Sequence, residues 1–191
     1  MVHDFSGYLL DWLYSGELDI AVVYGGDPAA SVRFSPLLLE NLHYVSAPGS
    51  GLTPHHAIGF AAVAAGRLIL PGPQHGLRLL VEAEARRSGQ ALQVAVEADD
   101  LQILKELAMR GIGATILPLA AVHEEVKVGR LAAAPIIDPH LSRKLVVAEP
   151  LGRQASNAVR RFGEVLRGEV VAMVQDGIWD GQLLDRNAIR R

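Results

Sequence analysis

Apolar and polar positions along the chain change period several times, and each change predicts an element. Residues 6–15 (SGYLLDWLYS) place Leu9, Leu10 and Leu13 on one face, with Ser6 to cap the start and Gly16 to end it, which predicts a short helix. The β-branched run 18–24 (LDIAVVY) predicts a buried strand, and 25–31 (GGDPAAS) a loop. Residues 34–48 (FSPLLLENLHYVSAP) predict extended chain, with Pro36 at a sheet edge or crossover. A small-residue helix is expected within 57–65, a strand over 67–71, a helix over 75–89 and a strand over 92–98. An apolar-striped helix after Asp100, a strand over 113–118 and a helix over 118–129 opened by Pro118 follow. Residues 131–137 and 143–149 read as extended, and 153–175 as the longest helix.

Strand–helix alternation of this kind predicts an α/β architecture with mostly parallel sheets. The alternation between about 50 and 135 is self-contained, and the extended stretches flanking it look like paired crossings into and out of a second lobe. We therefore expect lobe I to comprise residues 1–47 and 142–180, lobe II residues 48–141, and 181–191 to form a C-terminal tail. The first helix feeds a strand with no strand before it, although a βαβ unit needs one. Lobe I is thus expected to lack its first strand, and Met1 is not expected to start the natural domain.

Composition narrows the function classes. The 191 residues are 50% hydrophobic with a net charge of −3, a globular composition without the basic surplus that phosphate neutralisation demands. DNA binding by these residues is not expected. Cysteine is absent, which excludes disulfides, thiolate metal sites and a cysteine nucleophile. The N-terminus has no signal-peptide pattern and no apolar run approaches ~18 residues, so a cytoplasmic location is expected.

Catalytic patterns are weak. GIGATI (111–116) follows a helix, not a strand, and lacks the third glycine of a dinucleotide fingerprint. HEEVK (123–127) is not a zinc motif, and no G-x-S-x-G occurs. We expect no enzyme, metal or cofactor. Three polar turns stand out instead. Asp99 and Asp100 open a helix just after a strand, GPQHG (72–76) makes the same kind of turn, and YGGD (24–27) ends the first strand. Asp99 or Asp100 is placed to cap first-turn N–H groups, which alone explains the pair. The same turns also lie where open α/β sheets bind ligands, and there the carboxylates would suit a ligand offering donors.

Five blocks then resemble, in order, the effector-binding domain of LysR-type transcriptional regulators. They are SGELDIAVVY (15–24), PLLLENLHYVSAPGS (36–50), LILPGPQHGLR (68–78), VEADDLQILKELAMRGIGATILP (96–118) and EEVKVGRLAAAPIIDPHLSRKLVVA (124–148). The resemblance implies a two-lobe, type II periplasmic-binding-protein-like fold that holds a small-molecule effector between the lobes. It also implies a homo-oligomer, dimer or tetramer in the full-length regulator. DNA would be read by an N-terminal winged helix-turn-helix, which these residues do not contain. Residues carried over to the ligand site are Tyr24, Gly25, Gln74, His75, Gly76, Asp99, Asp100 and Gln102, with Thr115 on the strand after the two glycines. The implied function is effector sensing that modulates transcription. The alternative is a stand-alone solute-binding protein of the same fold.

Overall fold

The computed structural model describes residues 2, 6–25, 31–152 and 154–184. Helix α1 (Ser6–Ser15) ends as Gly16 takes φ 83° and the N–H groups of Glu17 and Leu18 fold back onto the Trp12 carbonyl at 2.9 and 3.0 Å. That turn consumes the start of the expected strand, and β1 covers only Ala21–Tyr24. There follow β2 (Val32–Ser46), β3 (Ile58–Gly59), α2 (Phe60–Ala65), β4 (Arg67–Leu70), α3 (Gly76–Arg87), β5 (Gln93–Glu97) and α4 (Leu101–Met109). The order continues with β6 (Thr115–Pro118), α5 (His123–Lys127), β7 (Ala132–Ile137), β8 (Ser142–Pro150), α6 (Asn157–Gln175) and β9 (Gly181–Leu183). Pro118 does not open a helix. Its ψ of 148° keeps it extended as the last residue of β6, and a 3-10 turn (Leu119–Ala121) separates it from α5.

The chain divides into two compact units, residues 1–40 with 143–191, and residues 41–142. In unit 1, β1 pairs antiparallel with β8, Ala21 facing Ala148 and Tyr24 facing Leu145. β8 neighbours β2, and β9 pairs antiparallel with β2 through Leu38–Leu183, so Gly181–Leu183 belong to the sheet. The alternating strand positions supply two apolar layers. Leu13, Val23, Val32 and Val146 pack on the α1 side, and Leu37, Leu38, Val147 and Val170 on the α6 side.

In unit 2, β2 pairs antiparallel with both β6 and β7, Tyr44 facing Ile116 on one side and Ala134 on the other. β3 runs parallel to β7, and β4 parallel to β5 with a register shift between Leu68 and Ile69. One face buries Leu42, Phe60, Val63, Leu68, Leu70, Val81 and Ile116, and the other Val45, Ile69, Leu104, Ala108, Leu117 and Val122. The expectation of mostly parallel sheets is therefore corrected. Parallel pairing occurs at β3–β7 and β4–β5, but the long strand β2 is met by β6, β7 and β9 running back against it.

Helices α4 and α5 are joined by an ion pair, with the Lys105 Nζ 2.5 Å from a Glu125 carboxylate oxygen and donating to the Ala121 carbonyl at 3.2 Å. Burial pushes the Glu125 carboxyl up, but the hydrogen bond and charge of Lys105, with Arg130 beyond, outweigh it and hold the group below its ordinary value. A carboxyl depressed in the folded state stabilises above its unfolded pKa, and the contribution disappears as pH falls through the folded one. Urea titrations of wild type and Glu125→Gln are expected to show a stability gap at pH 6 that closes towards pH 3. A gap independent of pH would refute this account of the pair.

Candidate functional site

The two turns singled out in unit 2 meet at the carboxyl ends of β4 and β5. The Ala98 N–H donates to the Leu70 carbonyl at 3.1 Å, which aligns the strand ends. The Gly72 N–H then donates to Asp99 Oδ1 at 2.9 Å and ties one turn to the other. The approach is close: a Cβ at residue 72 would lie 3.3 and 3.4 Å from the Asp99 carboxylate oxygens. Beneath the turns, Arg78 is 8% exposed and donates to the Pro71 carbonyl (3.1 Å), Glu97 (3.0 Å) and Glu82 (2.6 Å). One side chain on α3 thus buttresses the first turn and the end of β5 together.

The expected site residues take distinct roles. Asp100 is the N-cap of α4, its Oδ1 accepting from the Gln102 and Ile103 N–H groups at 2.8 and 3.0 Å. A cap of this kind contributes about 1 kcal/mol. His75 is the N-cap of α3, its Nδ1 accepting the Leu77 N–H at 3.0 Å. Gly76 opens α3 with no atom within 4 Å of a built Cβ, and Gln74, Asp99 and Gln102 are exposed. Six of the nine expected residues therefore lie along one rim, the two linked turns at the carboxyl ends of β4 and β5. The Arg78 guanidinium is spent on the scaffold. Thr115 stands elsewhere, at the first position of β6 opposite Val45, fully buried, with its hydroxyl bonded to no group among the described residues.

Tyr24 and Gly25 lie in unit 1. The Gly25 N–H donates to the Lys144 carbonyl at 2.9 Å with φ 89°. The Arg143 guanidinium stacks on the Tyr24 ring, 3.7 Å from its centroid. Burial pushes the Tyr24 hydroxyl well above its ordinary pKa; Arg143 opposes the shift and Glu40 adds to it. Glu40 itself is fully buried. Its Oε1 accepts from Arg143 Nε at 2.9 Å and Nη2 at 2.6 Å, and its Oε2 from Trp179 Nε1 at 3.0 Å. The motif reading missed this cluster. Its signal was a lone acidic residue inside the apolar run LLLENL, answered by an arginine on the returning strand.

Among the described residues no group of three or more histidine, aspartate or glutamate side chains is placed to hold a metal ion. No helix among them is long and apolar enough to cross a membrane.

A contiguous α/β unit set within a discontinuous one, with polar turns at the carboxyl ends of a parallel pair, is the layout of the type II periplasmic-binding-protein-like domains. The chain belongs to the LysR substrate binding domain family, whose model matches residues 1–171. It is 28% identical over 176 residues to the HTH-type transcriptional regulator BbuR of Bordetella bronchiseptica, covering 92% of this chain and 54% of that protein. It is 30% identical over 137 residues to the nitrogen assimilation regulatory protein nac of Klebsiella aerogenes, covering 72% of this chain and 44% of that one. The chain thus spans about half the length of the curated relatives it matches. The regulatory domain of CcmR from Synechocystis PCC6803, solved in complex with 2-PG, superimposes with a TM-score of 0.72 at 20% identity, covering 88% of this chain and 81% of that one.

Proposed function

We propose that this chain is the effector-sensing part of a LysR-family transcriptional regulator acting in the cytoplasm. On this reading the rim formed by Gln74, His75, Gly76, Asp99 and Gln102 takes a small polar metabolite. The observation that carries it is the Gly72–Asp99 hydrogen bond, which converts two separate turns into one polar surface at the strand ends where such folds bind ligands. The rim mixes donors with one carboxylate and has no uncommitted arginine. It therefore suits a ligand bearing hydroxyl, amide or amine groups on the side that meets unit 2.

Binding would act on transcription by favouring one of two pre-existing assemblies of the full-length oligomer, and only to the extent that the two differ in affinity. The family and the CcmR complex support sensing over catalysis. Calorimetric titration of the chain against a panel of polyols, amino acids, amides and small organic acids tests the reading. At least one compound is expected to bind saturably, with Asp99→Ala and Gln102→Ala each weakening it about tenfold, the loss of one strong polar contact. Absence of saturable binding across the panel, or full affinity in both variants, would remove the rim from the mechanism.

A further inference from the structure

Unit 2 carries a second concavity at the other end of β4, about 10 Å along the strand from the rim just described. It is a shallow, wide-mouthed depression with a volume of about 620 Å³. Tyr44, Ser46, Ser50, Ile58, Arg67 and Gly113 contribute to its walls. The floor exists because two glycines let backbone and side chain approach closely. A Cβ on Gly113 would stand 2.7 Å from the Arg67 carbonyl oxygen, and one on Gly66 would collide with the Tyr44 hydroxyl.

Arg67 stands apart from the other arginines of unit 2. Unit 2 contains six arginines. Arg78 pairs with Glu82 and Glu97, Arg86 with Glu82, Arg87 with Glu84, Arg110 with Glu106 and Arg130 with Glu125. Arg67 alone has no acidic partner among the described residues, and it is exposed at the pocket wall. The remaining wall is mostly apolar, with the Tyr44 ring, Pro48, Leu52 and Ile58 facing the same space. Burial raises the Tyr44 hydroxyl above its ordinary pKa, so at neutral pH it keeps its proton and remains a donor. An unpaired guanidinium beside an aromatic and aliphatic wall matches a carboxylate carried on a flat apolar body.

We propose that this pocket is a second small-molecule site, separate from the rim, that takes an aromatic carboxylate with its anionic group on Arg67 and its ring against Tyr44 and Ile58. The probe is 2-naphthoate, titrated into the isotope-labelled chain and followed by amide chemical shifts. Saturable shifts are expected at Ser46, Gly49, Gly113 and Ala114, with Gly72 and Asp99 unmoved. Arg67→Gln is expected to weaken binding about tenfold, and Arg86→Gln to leave it unchanged. The neutral analogue 2-naphthalenemethanol should bind the wild-type chain about tenfold more weakly, a comparison that does not depend on how the variant folds. Shifts confined to other residues, no saturation by about 5 mM naphthoate, or equal binding of acid and alcohol would overturn the proposal.

Discussion

Replacing Arg143 by leucine is expected to lower the unfolding free energy by about 3–5 kcal/mol, the cost of leaving a buried charge without its partner. Glu40 has no exposed surface and receives three hydrogen bonds, two of them from this guanidinium. Leucine would remove both guanidinium hydrogen bonds and leave the carboxylate to neutral donors such as the Trp179 indole N–H. The group must then remain charged in an apolar layer or take up a proton, and either costs free energy. Stacking on Tyr24 disappears as well. Urea unfolding followed by tryptophan fluorescence measures the loss. The double variant Glu40→Gln/Arg143→Leu should recover much of it, because the stranded charge is gone. A loss under about 1 kcal/mol in Arg143→Leu, or strict additivity in the double variant, would show that the pair does not hold this layer together.

Gly113→Val is expected to be nearly as damaging, at about 3 kcal/mol, through a different cause. The first atom of any side chain at this position meets backbone 2.7 Å away at the Arg67 carbonyl oxygen, and the Ile69 side chain at Cγ1, 3.0 Å away. Relief requires β6 to move away from β4. That motion stretches the bonds from the Ala114 N–H to the Arg67 carbonyl at 2.8 Å and from the Ile69 N–H to the Ala114 carbonyl at 2.7 Å. Overpacking and loss of those two bonds add in the same direction. A thermal midpoint equal to wild type would mean that the two strands separate without penalty and that the close approach is not what the glycine is for.

These two residues also mark what the sequence could and could not reveal. Helices, strands and polar turns were legible because each is written in local period and capping chemistry. An aspartate pair before an apolar stripe reads as a cap, and of the two it is Asp100 that accepts from the Gln102 and Ile103 N–H groups. The five family-like blocks were legible for the same reason, as runs of strand and turn in fixed order. Gly113 was visible as a glycine, but its purpose depends on Arg67, which no local pattern links to it. Glu40 was a conspicuous charge in an apolar strand, yet its partners are Arg143 and Trp179, 103 and 139 residues away. Strand direction failed similarly. Alternation predicts parallel neighbours, whereas β2 is long enough to collect returning strands that no local signal assigns to it.

The placement of one unit inside the other has a consequence for how the molecule assembles. Residues 41–142 are continuous in the chain and can close their core as they leave the ribosome, while unit 1 must wait for residue 143 onwards. Closing an unstructured loop of that length carries an entropic cost that grows with the logarithm of its length. Once the inserted segment has folded, its entry and exit are already joined through the Leu42 N–H and the Leu141 carbonyl, 2.9 Å apart. Glu40 and Arg143 are then neighbours before either has a core around it. Early folding of the insert thereby turns a pairing 103 residues apart in the chain into a local one.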